Sequence, residues 1–200
     1  MKERVVTDLS KLPLHGLGSA SLTFWGTSAF MLIEGMGFAL AIVVYFYLMS
    51  LAPRWPIEAP APDLLPGTIL TLLLLVSIVP NMLIARWAKH RDLPKVRAGL
   101  IVMALLGAAP LIPRAYEFPA LHVGWDDDAY GSIVWTMLGL HATHIITDLV
   151  DTVVLACLMF SKHGDKARRY GDVEDNALYW NFVVLAWLPL YGCIYWVPRL

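Results

Sequence analysis

The sequence predicts an all-α, polytopic membrane protein in which five transmembrane helices form one bundle. Hydrophobic residues make up 58% of the 200 residues and charged residues 16%, whereas soluble domains average about 45–50% and about 25%. Five stretches contain the run of about 20 mainly apolar residues that is needed to cross a bilayer. These stretches lie at about 22–50, 67–88, 97–116, 130–160 and 177–197. We expect residues 1–200 to form a single membrane domain.

The basic residues predict the orientation of these spans. Twelve Lys and Arg residues fall in the N-terminal segment and in the second and fourth loops, and only Arg54, Arg114 and Arg199 fall on the other side. The positive-inside rule therefore places the N-terminus in the cytoplasm and the C-terminus outside. The apolar run after the N-terminal segment is too long for a signal peptide, so we expect no cleavage there. The net charge of −1 gives no electrostatic support for a nucleic-acid partner.

The fourth span carries four ionisable side chains within its apolar sequence. On a helix, His141, His144, Asp148 and Asp151 fall within an arc of about 80° and so share one face. A charge at the centre of a lipid-spanning helix costs about 2.5–3.5 kcal/mol. We therefore expect this face to point toward other helices, water or a bound group.

The first span contains a single acidic residue, Glu34, which lies near the middle of the bilayer at about 1.5 Å of rise per residue. His144 reaches a similar depth on the fourth span. A hydrogen bond between the two, direct or through one water, would offset the cost of burying either, so we expect this contact. Asp148 and Asp151 lie nearer the basic side of the membrane. We expect one of them to reach a basic side chain and the other to bond Thr or Asn or to stay protonated.

The same residue types could serve a proton relay or a metal site. The four ionisable groups of the fourth span extend about 15 Å along one helix, so at most two of them could bind one ion. The sequence contains no CxxC, HExxH or paired ExxH motif. We expect no metal site, and both a structural pair and a proton relay remain open. Cys157 and Cys193 are predicted near opposite membrane faces, where they cannot form a disulfide.

The last span presents a stripe of aromatic residues. Trp180, Trp187, Tyr191 and Tyr195 fall within about 80° of helix arc. We interpret this stripe as packing between helices in preference to a ligand or quinone site.

Two motifs of these spans resemble subunit III of the haem-copper terminal oxidases, in its short five-helix bacterial form. The fourth-span motif is carried by Tyr130, Gly131, Ser132, Gly139, His141 and His144. The last-span motif is carried by Tyr179, Trp180, Phe182, Val183, Trp187, Leu190, Tyr191, Ile194, Tyr195 and Trp196. Glu34 resembles the buried glutamate of the family's corresponding span. The chain is a divergent member, with Asn181 where the family has His, Val184 where it has Asp, and Ala142 and Asp148 where it has Gly.

This resemblance implies an accessory, non-redox subunit of a cytochrome c oxidase in the bacterial inner membrane. Such a subunit has no catalytic residues and no haem or copper of its own. It packs on catalytic subunit I through apolar faces of its first two spans, accompanies subunit II, can bind phospholipid, and supports proton uptake and stability during turnover. A subunit III of a quinol oxidase, or one associated with a nitric oxide reductase, is the close alternative. A small proton-coupled transporter that uses Glu34, His144 and Asp148 is the alternative from another class.

Overall fold

The computed structural model describes residues 22–162 and 164–200, and these residues form helices joined by short loops, without a strand. The basic N-terminal residues Lys2, Arg4 and Lys11, and the prediction of an uncleaved N-terminus, lie outside the described residues. The helices are α1 Leu22–Leu51, α2 Leu64–Lys89, α3 Leu93–Ala108, α4 Leu111–Glu117, α5 Ala129–Phe160 and α6 Ala167–Tyr191. Five helices are long and apolar enough to cross a membrane when α3 and α4 count as one interrupted span. The all-α, five-span prediction is confirmed.

Two helices differ from their predicted bounds for local reasons. The third span is interrupted at Ala109 and Pro110, where α3 ends and α4 begins, because proline lacks the amide hydrogen that would continue the helical pattern. The last helix begins at Ala167, ten residues before the predicted apolar span. This first part of α6 is polar, and an ion pair between Arg169 and Asp172 at 3.0 Å spans one of its turns. Hydropathy alone therefore does not predict that α6 includes this polar segment.

Helix α6 lies at the centre of the bundle. It packs against α2, α5 and α1, while α3 packs against α5 and α2. The indole rings of Trp180 and Trp187 on α6 are completely buried, and Met137 and Leu138 of α5 are buried beside them in the same apolar core. Helix α1 lies at the edge and contacts only α5 and α6 extensively. Most of its side chains are exposed and face the surroundings of the chain.

Polar side chains connect α2 to α6 across an otherwise apolar interface. Each hydrogen bond joins one residue of α2 to one of α6: Thr68 to Tyr191, Thr71 to Trp187, Ser77 to Trp180 and Asn81 to Asn181. The indole N–H groups donate to hydroxyl oxygens at 2.7 and 2.8 Å. Because a buried polar group without a partner is costly, these pairs favour one register between the two helices.

The two ends of the bundle differ in composition. One end contains the loops at 90–92 and 161–166 and many basic residues, and we call it the basic end. The other contains residues 52–63, which are rich in proline, and we call it the proline-rich end. At the proline-rich end, the acidic residues before α5 mark the start of this helix. The carboxylate of Asp128 accepts a hydrogen bond from the amide of Gly131 at 2.7 Å and so caps the helix.

Candidate functional site: a cleft between three helices

The predicted contact between Glu34 and His144 is confirmed. Nε2 of His144 lies 3.2 Å from Oε1 of Glu34, and the hydroxyl of Tyr179 donates to Oε2 of the same carboxyl group at 2.8 Å. Phe38, one helical turn after Glu34 on α1, packs against the His144 ring with 4.7 Å between ring centroids. Helices α1, α5 and α6 therefore meet at this one carboxyl group.

His141 faces a different part of the bundle, although it lies only one turn from His144. Its Nε2 is 3.0 Å from the carbonyl oxygen of Val183, and its Nδ1 is 2.7 Å from the guanidinium of Arg114. The ring is fully buried and stacks on Trp187 with 4.8 Å between centroids. Both histidines point into the bundle, as predicted, but they belong to separate networks.

Arg114 and Glu117 form a buried ion pair that the sequence analysis did not identify. Their side chains are 3% and 0% exposed and approach to 2.6 Å. The hydroxyl of Tyr195 donates to the other carboxylate oxygen at 2.7 Å, and the guanidinium lies 4.3 Å from the centre of the Trp187 ring. The sequence count included Arg114 among the three charges of the outer side and did not anticipate that its side chain is buried. The spacing of an acid three residues after an arginine in an apolar segment was the available signal.

Asp148 and Asp151 share a single amide partner. Nδ2 of Asn176 on α6 lies 3.5 Å from Oδ1 of Asp148 and 3.2 Å from Oδ2 of Asp151. The carbonyl oxygen of Asn176 accepts from the hydroxyl of Thr152 at 3.3 Å. The expectation that one of these aspartates bonds an amide is confirmed.

Among the described residues, neither aspartate has the expected basic partner, and both contact the amide of Asn176. Two cations at the basic end bond to other groups: Arg169 bonds Asp172 at 3.0 Å, and Arg97 donates to the carbonyl oxygen of Met159 at 2.8 Å. Both bonds lie at the basic end of the bundle, where the charged groups of Arg169 and Arg97 remain in polar surroundings. Asp151 is itself exposed, so its charge does not require a cation to offset the cost of burial.

These groups line a cleft of about 490 Å³ between α1, α5 and α6. It extends from the Glu34 and His144 pair toward the basic end. Its polar lining includes Thr143, Thr147, Asp148, Asp151, Asp172 and Asp175, and its apolar lining includes Phe30, Val154, Leu155 and Leu158. The lining of the cleft therefore combines acidic and apolar side chains.

Five of the six aromatic motif residues on the last span bond to polar groups of neighbouring helices. Tyr179 bonds Glu34 of α1, Tyr195 bonds Glu117 of α4, and the remaining three bond α2 as described above. Trp196 is 52% exposed. The aromatic stripe thus joins the last span to α2 and α4, and Tyr179 joins it to α1, which agrees with the packing interpretation.

The ionisable residues of the described ranges, 22–162 and 164–200, contain no group of three or more metal-binding side chains close enough to hold an ion. Cys157 is exposed, Cys193 is buried, and both are free thiols. The arrangement can accept, hold and donate protons, and it can bond a polar head group that enters the cleft.

The fold and these contacts define a multi-pass helical membrane protein whose buried polar groups bond largely to one another. The family model described as cytochrome c oxidase subunit III matches residues 14–198. The chain is 30% identical over 197 residues to cytochrome c oxidase subunit 3 of Drosophila yakuba, covering 91% of this chain and 73% of the relative. It is 27% identical to the Synechocystis protein of the same name (89% and 77% covered) and 24% identical to that of Thermostichus vulcanus (87% of each). The chain belongs to the cytochrome c oxidase subunit III family.

Proposed function

We propose that this chain is a non-redox accessory subunit that packs on catalytic subunit I of a respiratory haem-copper oxidase and supports its proton uptake and stability during turnover. Haem and copper are carried by the partner subunits, with subunit II in the same complex. Family membership supports this role. The observation that carries it is that Glu34, His141, Arg114 and Glu117 all bond within the chain. A buried polar network that is engaged internally stabilises a bundle, and the described residues contain no group of three or more side chains that could hold a metal ion.

The charge distribution of the described residues supports an orientation with the basic end in the cytoplasm. Nine basic residues lie at or near that end: Arg86, Lys89, Arg91, Lys95, Arg97, Lys162, Lys166, Arg168 and Arg169. Arg54 and Arg199 lie at the proline-rich end, and Arg114 is buried. By the positive-inside rule, the cleft opens toward the cytoplasm of a bacterial cell, and the protein resides in the inner membrane.

Two exposed stripes support a contact with subunit I through α1 and α2. On α1, a row of exposed apolar side chains recurs every three or four residues: Ile33, Met36, Leu40, Val43 and Tyr47, all 61–67% exposed. The same spacing recurs on α2 at Leu65, Ile69, Leu72, Val76, Val79 and Leu83. Alternating spacings of three and four form the seam of helices that pack at about 20° to one another. Each stripe therefore fits a transmembrane helix of subunit I.

Tryptophan substitutions test this interface. Leu40→Trp on α1 and Val76→Trp on α2 would overfill a packed seam, at a cost of about 1–3 kcal/mol, so less subunit I should remain bound after detergent extraction. Val150→Trp is the control, because Val150 is 57% exposed on α5 outside both stripes. Equal loss of subunit I in the α5 variant would contradict the proposed location of the interface.

Purification of the tagged chain from its native membrane tests the proposed function itself. We expect subunits I and II to accompany the chain, together with the Soret absorption of haem. The chain purifying alone, or binding haem without the larger subunits, would contradict the proposal. The electron donor of the purified complex, cytochrome c or a quinol, separates a cytochrome c oxidase from a quinol oxidase. Reduction of nitric oxide by the complex would identify a subunit associated with a nitric oxide reductase. A proton-coupled transporter would show none of these activities.

A further inference from the structure

Two close contacts of the His144 ring indicate where its protons lie. Nδ1 is 2.6 Å from the carbonyl oxygen of Leu140, and a carbonyl oxygen only accepts, so Nδ1 carries a hydrogen. Nε2 faces Oε1 of Glu34 at 3.2 Å. A ring nitrogen without hydrogen and a carboxylate oxygen are both acceptors, and they cannot bond to each other. At 3.2 Å two acceptors would repel each other, and one further proton between Glu34 and His144 removes that repulsion.

The second bond of Glu34 does not supply this proton. Tyr179 donates its hydroxyl hydrogen to the other oxygen, Oε2. The shared proton makes the pair neutral in either arrangement, as a carboxylic acid with a neutral imidazole or as a carboxylate with an imidazolium. The side chains of Glu34 and His144 are only 16% and 9% exposed. Burying them as a neutral pair costs less free energy than burying a pair with a net charge.

His141 has no comparable freedom. The guanidinium of Arg114 can only donate, so Nδ1 of His141 accepts, and Nε2 must carry the hydrogen that bonds the carbonyl oxygen of Val183. Both nitrogens are therefore occupied in a neutral ring that is fully buried. Of the two histidines, only His144 lines the cleft.

Two aspartates connect the pair with the basic end of the cleft. Asp148 lies about one turn from His144 and is 2% exposed, and Asp151 lies one turn further and is exposed. Their common partner Asn176 supplies only one amide group, with contacts of 3.5 and 3.2 Å. Within residues 22–162 and 164–200, the buried carboxyl group of Asp148 pairs with no cation, and it lines the cleft. This position therefore suits a carboxyl group that is alternately protonated and ionised.

The remaining charges of the cleft lie closer to its mouth. Helix α6 contributes Asp172, Asp175 and Arg169, and α1 contributes no charge to the lining other than Glu34 among the described residues. Arg169 is bonded to Asp172, so it does not neutralise the inner aspartates. One water needs about 10–15 Å³ of accessible volume, so a cleft of about 490 Å³ has room for a connected chain of waters.

We propose that the cleft is a proton-exchange site in which Glu34 and His144 share one proton and Asp148 and Asp151 exchange that proton with water at the basic end. In each step a proton leaves one oxygen or nitrogen atom and binds the next, and no electron moves. Its use by an oxidase rests on the proposed function above, but the proton count and the exchange route are properties of this chain.

The proton count is tested on the complete chain in its complex. Infrared spectroscopy reports a protonated Glu34 carboxyl group, and nitrogen NMR of histidine-labelled protein reports an imidazolium at His144. At neutral pH we expect the two signals to add up to one proton per pair in the wild type, and we expect neither signal in Glu34→Gln. A total of two protons, or of none, in the wild type would overturn the shared proton. The measurement also works on the chain alone, so a failure to co-purify with haem leaves it unaffected.

The exchange route is tested by transfer into heavy water. We expect Asp148→Asn to slow exchange of the shared proton about a hundredfold, at the lower end of what a positioned proton-transferring side chain contributes. Asp151→Asn, a change at an exposed residue, provides the second variant if Asp148→Asn does not fold. Glu174→Gln is the control, because it removes an acid of α6 that does not line the cleft. Wild-type exchange in the folded aspartate variants, or equal slowing in Glu174→Gln, would overturn the route.

Discussion

The buried ion pair gives the sharpest prediction of stability. Arg114→Met removes a guanidinium that is 2.6 Å from Glu117 and 2.7 Å from Nδ1 of His141. The Glu117 carboxylate, 0% exposed, would keep only the hydroxyl of Tyr195 at 2.7 Å. Removing one member of a buried pair typically costs about 3–5 kcal/mol. We expect a loss of this size in the free energy of unfolding, which is a large part of a typical stability of about 5–15 kcal/mol.

The assay is unfolding of the purified protein by denaturing detergent in mixed micelles, followed by helical circular dichroism. Lys95→Met is the matched control, because it breaks an ion pair with Asp92 that is exposed at the surface, and exposed pairs contribute little. The double variant Arg114→Met with Glu117→Leu should cost less than the sum of the single variants, because no buried charge remains unpaired. A loss below about 1 kcal/mol in Arg114→Met, or strictly additive losses, would refute the reasoning.

Two further predictions use glycine and cysteine positions. Gly67→Ala would place a methyl group 2.4 Å from the ring of the fully buried Tyr195, so we expect a loss of about 1–3 kcal/mol in the same unfolding assay. In Gly37→Ala the methyl group meets nothing within 4 Å, and stability should stay equal or rise by up to about 1 kcal/mol; equal losses would refute the packing. A membrane-permeant maleimide should label exposed Cys157 in the folded protein and Cys193 only after denaturation, and equal rates would contradict the fold.

Hydropathy predicted the five spans because a bilayer requires long apolar helices whatever their packing. Depth along those helices then predicted the contact of Glu34 with His144, since a buried acid and a buried base at one level stabilise each other. Both predictions depend on the membrane as solvent and not on details of side-chain packing. For the same reason they could be made before the arrangement of the helices was known.

The buried position of Arg114 could not be predicted from a count of charges. A count treats each arginine as exposed, whereas Glu117 and Tyr195 compensate this one inside the bundle. The partner of Asp148 and Asp151 was missed for a related reason. Asn176 lies before the predicted start of the last span, on the polar turns that α6 adds at its beginning. Contacts of this kind depend on the rotation of one helix against another, which hydropathy does not contain.

The central claim is that this chain is an accessory subunit whose buried groups support the complex without carrying out oxygen reduction. The most direct test measures turnover per haem together with the amount of chain retained in a complex that carries Glu34→Ala. The substitution leaves His144 and the hydroxyl of Tyr179 without their acceptor, at about 1–3 kcal/mol for an unpaired buried group. We predict that oxygen reduction proceeds from the first turnover and that the chain is lost from the complex more readily than in the wild type. Full retention of the chain with activity abolished from the first turnover would show an obligatory proton relay and would contradict the account.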